Sequence, residues 1–238
     1  MFIPIYDGKP LVNIRRPFVN LALIAANLIA FIGLQLPQGT GNVALSLGLI
    51  PALINHYAVL PEAAIWVPAE VSLLSYAFLH SSLLHLGGNM VFLWVFGDNV
   101  EDAMGHVKYL IFYLASAFCA GLLHVAVFPD ATAPLIGASG AVAGVVAAYL
   151  MLHPRMRVWV LAFGKIPLPI TARWCLGAWI SLQVFQFLFA ADSTVSWSAH
   201  VGGIIAGGIL VVFLKHRHTL LFDRALSARL TDQESSKS

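Results

Sequence analysis

Two residues of this chain have the types and surroundings that acyl transfer requires. Ser139 lies in Gly137-Ala138-Ser139-Gly140, where an apolar run begins, and His200 lies inside a later apolar run, Trp197-Ser198-Ala199-His200-Val201-Gly202-Gly203. A serine hydroxyl is a weak nucleophile until a base takes its proton, and histidine is the side chain that most often does so. A lipid-facing helix needs neither a glycine-flanked hydroxyl nor an imidazole. Together they point to serine hydrolase chemistry.

A second polar pair, His85-x-x-x-Asn89, falls in another apolar run. Spacing of i,i+4 puts both side chains on one helix face, and polar groups inside a membrane are costly and turn toward a cavity or a partner. Their N–H groups suit an oxyanion, where one donor is worth about 2.7–4 kcal/mol. The N–H of Ser139, at a helix start, is a further donor. The bland alternative for His85 and Asn89 is a polar pair that locks helices together. His80 raises the question of metal, but the spacing to His85 is not i,i+4, no His-Glu-x-x-His occurs, and no carboxylate lies within the apolar runs. A catalytic zinc normally takes three protein ligands, so no metal site is expected.

Helices must carry these groups. The 238 residues are 59% hydrophobic and 10% charged, with mean hydropathy +0.84; a soluble domain carries about 25% charged residues. This is the composition of an integral membrane protein, and no basic block suggests nucleic acid. Six spans are expected: Phe18 to Leu36, about Leu83 to Phe96 (entered from Ser72 to Leu79), Tyr109 to Phe128, Ser139 to Leu152, Trp174 to Phe189 and Trp197 to Leu214. With an even count both termini share one side. If that side is the cytoplasm, the inside segments 1–17, 97–108, 153–173 and 215–238 hold all 13 Lys and Arg. The outside segments hold only acids, Glu62, Glu70, Asp130 and Asp192, which satisfies the positive-inside rule.

This layout sets Ser139 and His200 near the outer ends of their helices, at similar depth. The small-residue ladders Gly140-x-x-x-Gly144-x-x-x-Ala148 and Gly203-x-x-x-Gly207 let helices approach closely in lipid. GxxxG alone usually does no more than pack helices; here the ladders begin beside the serine and the histidine, and close packing would bring imidazole to hydroxyl. The fourth span, about 21 Å long at 1.5 Å per residue, is shorter than the ~30 Å hydrocarbon core. Its serine end is therefore expected below the outer surface, under non-helical backbone. Residues 37–71, broken by Pro51, Pro61 and Pro68, read as a structured loop on the outer interface. Cys119 and Cys175 read as free, buried thiols. Residues 1–17 show no cleavable signal, so the first span is expected to direct its own insertion, and 215–238 read as a charged cytoplasmic tail.

The ordered set His85-x-x-x-Asn89, Gly137-x-Ser139-Gly140 and Ala199-His200-x-x-Gly203-x-x-x-Gly207 resembles the rhomboid family of intramembrane serine proteases, over about residues 18–214. Gly97-Asp98-Asn99-Val100-Glu101-Asp102-Ala103-Met104-Gly105 is similar to its bacterial members. The resemblance implies an all-α, six-helix bundle, with Ser139 as nucleophile and His200 as base and acid in a dyad without a carboxylate. It also implies an oxyanion hole of His85, Asn89 and the backbone at Gly137 and Ser139. No cofactor is implied, the substrates would be single-pass membrane proteins cut near the outer face, and the location would be a bacterial inner membrane. Two positions depart from the family pattern: residues 37–71 contain no arginine, where many members have Trp-Arg, and Ala143 stands where some carry an aromatic stacked on the base. The rivals are a rhomboid-like scaffold, which needs no serine opposite a histidine, and a transporter, which more often shows internal repeats or intramembrane carboxylates. Oligomeric state is not legible.

Overall fold

The structure is a computed structural model that describes residues 2–162, 165–190 and 195–223. Asp192, Arg224, Arg229, Lys237 and the tail beyond 223 lie outside the described residues. Six main helices follow the apolar runs: α1 Phe18–Gln38, α2 Leu83–Met104, α3 His106–Val127, α4 Ser139–Leu152, α5 Ala172–Phe189 and α6 Trp197–Leu214. Among the described residues α1, α3 and α6 are long and apolar enough to cross a bilayer. A fourth span results if Glu62–Phe78 and α2, bent by 78°, are taken as one. At 14 residues, α4 is short, and it is lined by buried residues along nearly its whole length. It is the central helix.

The small residues explain why α4 and α6 lie so close. A Cβ added at Gly203 would stand 1.8 Å from the Gly140 carbonyl oxygen, and one at Gly207 would stand 2.3 Å from that of Gly144. Across the other side, Gly144 backs onto Ser116 of α3, whose Oγ lies 2.8 Å from a Gly144 Cβ position. Backbones touch where side chains would have held them apart.

The helix ends show how short polar segments anchor the bundle. Pro17 precedes α1 and gives it no side-chain cap. Glu101 of α2 supplies one instead, accepting from the N–H groups of Val19 at 3.1 Å and Asn20 at 2.7 Å, and it also bonds His106. A carboxylate at a helix start satisfies orphan donors and matches the helix dipole. The Oδ1 of Asp102, next in sequence, accepts from Val12, Asn13 and Ile14 N–H. These carboxylates pin the chain before α1 to the end of α2.

One feature lay outside the sequence expectation of an all-α protein. Phe2–Tyr6, Arg157–Ala162 and Ile166–Thr171 form β1, β2 and β3, an antiparallel sheet in that spatial order at the end of the bundle away from Ser139. Val158 and Val160 are buried while Trp159 between them is exposed, the period-two pattern of a half-buried strand. Pro4 lies in one edge strand, Pro167 and Pro169 in the other, where a missing N–H is tolerated. Cys175 is buried, but Cys119 is exposed rather than buried; both are free.

Candidate active site

Ser139 opens α4, and the segment before it is set by the loop of residues 37–71. That loop contains the helix Thr40–Leu47, after which Leu49 pairs with Leu135, each donating its N–H to the other's carbonyl at 3.0 and 2.8 Å. Tyr76 then fixes the next residues: its carbonyl accepts from Gly137 N–H at 3.0 Å, and its hydroxyl donates to Ala117 O at 2.7 Å. The chain thus reaches Ser139 as a held, non-helical strand rather than a free loop.

Gly137 donates its N–H to Tyr76 O in this structure. Its φ of +133° belongs to a region that L residues rarely adopt, and its missing side chain leaves room for His85. The position a Gly137 Cβ would fill is 2.8 Å from His85 Nε2 and 3.6 Å from Ser139 Oγ. His85 and the serine therefore flank one small space.

The hydrogen bonds at His85 fix its proton. Ser81 N–H, which can only donate, reaches Nδ1 at 3.4 Å, and Ser81 Oγ lies 3.1 Å from the same nitrogen. Nδ1 is therefore an acceptor, and the neutral ring carries its hydrogen on Nε2. That hydrogen is available to the space beside Ser139. Ser82 caps α2 by accepting from His85 N–H at 3.2 Å, so the ring stands in the helix's first turn.

Asn89, one turn on, turns to His80. Its Nδ2 donates to His80 Nε2 at 3.0 Å, which engages one of the two amide hydrogens. His80 is fully buried and held in turn by Gln35, whose carboxamide accepts from His80 N–H and donates to His80 C=O, both at 2.8 Å. Gln35 sits in a π-helical turn of α1, Ala30–Gln35, a local widening often found at functional sites. His80 and Gln35 were not among the expected site residues. The sequence carries a signal for both, a glutamine within one apolar run and a histidine at the edge of another.

His200 is in the first turn of α6 and buried. Its Nδ1 lies 2.8 Å from Gln183 Oε1, and an amide oxygen can only accept, so Nδ1 carries the hydrogen and Nε2 is bare. Trp179 stacks on the ring at 6.3 Å between centroids, and Trp197 meets it edge-on at 5.6 Å. Ala199 O, beside the histidine, lies 3.3 Å from where a Gly140 Cβ would be, so the residues next to Ser139 and His200 abut. Among the described residues no hydrogen bond joins Ser139 to His200; such bonds often tighten only around substrate. The start of α6 is further tied to the end of α3, where His124 Nδ1 lies 2.9 Å from both Ser196 Oγ and Ser198 Oγ.

A helical bundle with a glycine-flanked serine at the start of its central helix and a buried histidine in the helix packed against it defines a class, the polytopic membrane proteins with a serine and a histidine on adjoining helices. The Rhomboid domain family matches residues 68–217, and the chain belongs to the rhomboid family. It is 30% identical over 219 residues to "Rhomboid protein 1, mitochondrial" of Saccharomyces cerevisiae, covering 85% of this chain and 58% of that protein. It is 30% identical over 190 residues to human "Rhomboid-related protein 3", covering 76% of this chain and 46% of that one. "Rhomboid-like protease 3" of Toxoplasma gondii is 29% identical over 136 residues, 57% of this chain and 48% of that protein. The chain thus spans about half the length of these relatives. The protein is an integral membrane protein of a family that includes intramembrane proteases. Several relatives are named as mitochondrial, so the expected bacterial inner-membrane location finds no support.

Proposed function

We propose that this chain is an intramembrane serine endopeptidase that cuts single-pass membrane proteins near the outer face of the bilayer. The observation that carries the reading is the juxtaposition at Gly137: the position of its absent Cβ lies 2.8 Å from His85 Nε2 and 3.6 Å from Ser139 Oγ, and Ser139 begins the helix packed backbone to backbone against the one bearing His200. In this reading Ser139 Oγ attacks the scissile carbonyl as its proton passes to His200 Nε2. The oxyanion is met by His85 Nε2–H, the remaining amide hydrogen of Asn89 and the N–H of Ser139. His200 then protonates the leaving amine, and water enters to hydrolyse the acyl-enzyme.

The accompanying topology is six spans with both termini cytoplasmic, supported by the distribution of all 13 Lys and Arg. It puts Ser139 and His200 toward the outer face, where an unwound substrate end and water would meet. The protease domain would be residues 18–214, with 1–17 and 215–238 on the cytoplasmic side.

Labelling of purified, detergent-solubilised protein with a fluorophosphonate tests the reading. Wild type should label, and Ser139→Ala and His200→Ala should not, with thermal unfolding unchanged. A well-folded wild type that stays unlabelled beside a labelling rhomboid protease would favour a scaffold that binds helices without cutting them.

A further inference from the structure

We propose that Gln183 is the positioning residue of the base: its carboxamide oxygen holds the proton of His200 on Nδ1 and so leaves Nε2 as the nitrogen for Ser139. The proposal rests on the serine–histidine protease reading of this site.

The argument begins with where Gln183 lies. Among the α5 residues after Leu176, Gln183 is the one that is buried; Leu182, Val184, Phe185, Leu188 and Phe189 around it are exposed. A glutamine turned inward from an otherwise outward-facing apolar stretch is costly unless its polar atoms find partners. Its oxygen finds His200 Nδ1 at 2.8 Å. One turn earlier on the same face, Trp179 stacks on that imidazole, the i,i+4 relation that sets two side chains side by side. One short stretch of α5 thus supplies both a plate for the ring and an acceptor for its proton.

Nothing on α4 competes for the task. The residue one turn after Ser139 is Ala143, fully buried and able to offer only a methyl group. Beyond the edge-on contact with Trp197 of its own helix, orientation of the base therefore comes from α5, a helix that carries neither the nucleophile nor the base. The alignment of His200 depends on the Trp179–Gln183 turn remaining docked, so movement of α5 away from α6 would free the ring to rotate and to exchange tautomers. A base in the wrong tautomer presents an N–H where a lone pair is needed.

The test compares Gln183→Met and Gln183→Glu with wild type, using the full chain in detergent and the rate of fluorophosphonate labelling. Gln183→Met should label at least about tenfold more slowly in a protein that still folds, with its thermal midpoint lowered only by the loss of one buried hydrogen bond. Gln183→Glu, which keeps an acceptor oxygen, should retain most of the rate. Its acid limb should move to higher pH, because a carboxylate favours the imidazolium; among the described residues His85 is the other titratable group acting on His200, and it is common to all three proteins. Nitrogen-15 spectra of labelled histidine give a readout without activity: His200 should show a protonated Nδ1 and a bare Nε2, and a proton on Nε2 would overturn the proposal. A labelled wild type beside an equally labelled Gln183→Met overturns this role alone. An unlabelled wild type overturns the protease reading, and this role with it.

Discussion

At His85 and His200 the same side chain is set to opposite tasks by the chemistry of one neighbour. A donor at Nδ1 of His85 forces the hydrogen onto Nε2, and an acceptor at Nδ1 of His200 leaves Nε2 bare. In the proposed mechanism the first would stabilise negative charge and the second would take a proton. His85→Ala should therefore slow fluorophosphonate labelling by roughly 10²–10³, the usual cost of one oxyanion donor, in a protein that still folds. Asn89→Ala should mix two effects, since its amide also satisfies buried His80, and its loss should appear in thermal stability as well as in labelling. Gly137→Ala tests geometry without touching a polar group. The alanine would be strained at φ +133° and its Cβ would meet His85 Cε1 at 2.7 Å. A misplacement of that size commonly costs about a hundredfold in rate, against a stability loss of about 1–3 kcal/mol. Labelling of Gly137→Ala at the wild-type rate would show that His85 does not border the reacting group.

Helices four and six form one unit because glycine permits carbonyl-to-backbone contact between them. Gly203→Ala places a methyl group against the Gly140 carbonyl, a group that cannot rotate away, so the helices must part. About 1–3 kcal/mol of overpacking cost is expected, read as a lower thermal midpoint together with reduced labelling. Gly177 on α5 has nothing within 4 Å of its Cβ position; Gly177→Ala should be neutral or stabilising by up to about 1 kcal/mol. Equal effects of the two changes would mean that the close approach does not hold the bundle together. These elements were legible because apolar length and small-residue spacing are local properties: the bounds of α4 and α6, Ser139–Leu152 and Trp197–Leu214, could be read directly from the chain. The sheet was not, because its first strand is separated from the other two by the first four helices of the bundle. Its apolar runs are also too short, and too rich in proline, to stand out beside membrane helices. At the site, residue types announced Ser139, His200, His85 and Asn89 as candidates. The partner of each ring nitrogen, and the use of Gly137 N–H by Tyr76, depend on contacts between distant segments that spacing does not encode.

Across the whole molecule, the end remote from Ser139 is tied to the site through α4. Asp7 follows the first strand and is buried, with Oδ2 accepting from Asn99 Nδ2 at 2.7 Å and from the Tyr149 hydroxyl at 2.8 Å. Tyr149 lies on the helix that begins with Ser139, so the N-terminal segment, the end of α2 and the central helix meet at one carboxyl group. Burial raises the pKa of that group above its ordinary 3.8, and hydrogen bonds from Tyr149 and from Lys9 N–H only partly offset it. Folding therefore favours the protonated acid, and the sign of its effect on stability follows from linkage. The contribution is present in full below the ordinary value and is lost as pH rises through the higher folded one. Thermal midpoints of wild type and Asp7→Asn, measured in one detergent from about pH 4 upward, should show wild type losing stability relative to the variant across that window. Asp98, whose pKa the neighbouring Asp7 helps to raise, changes with the substitution and belongs to the same difference; groups away from this junction cancel. Parallel profiles would mean that Asp7 titrates as it does in the unfolded chain, and that the junction of strand, α2 and α4 is held by its neutral partners alone.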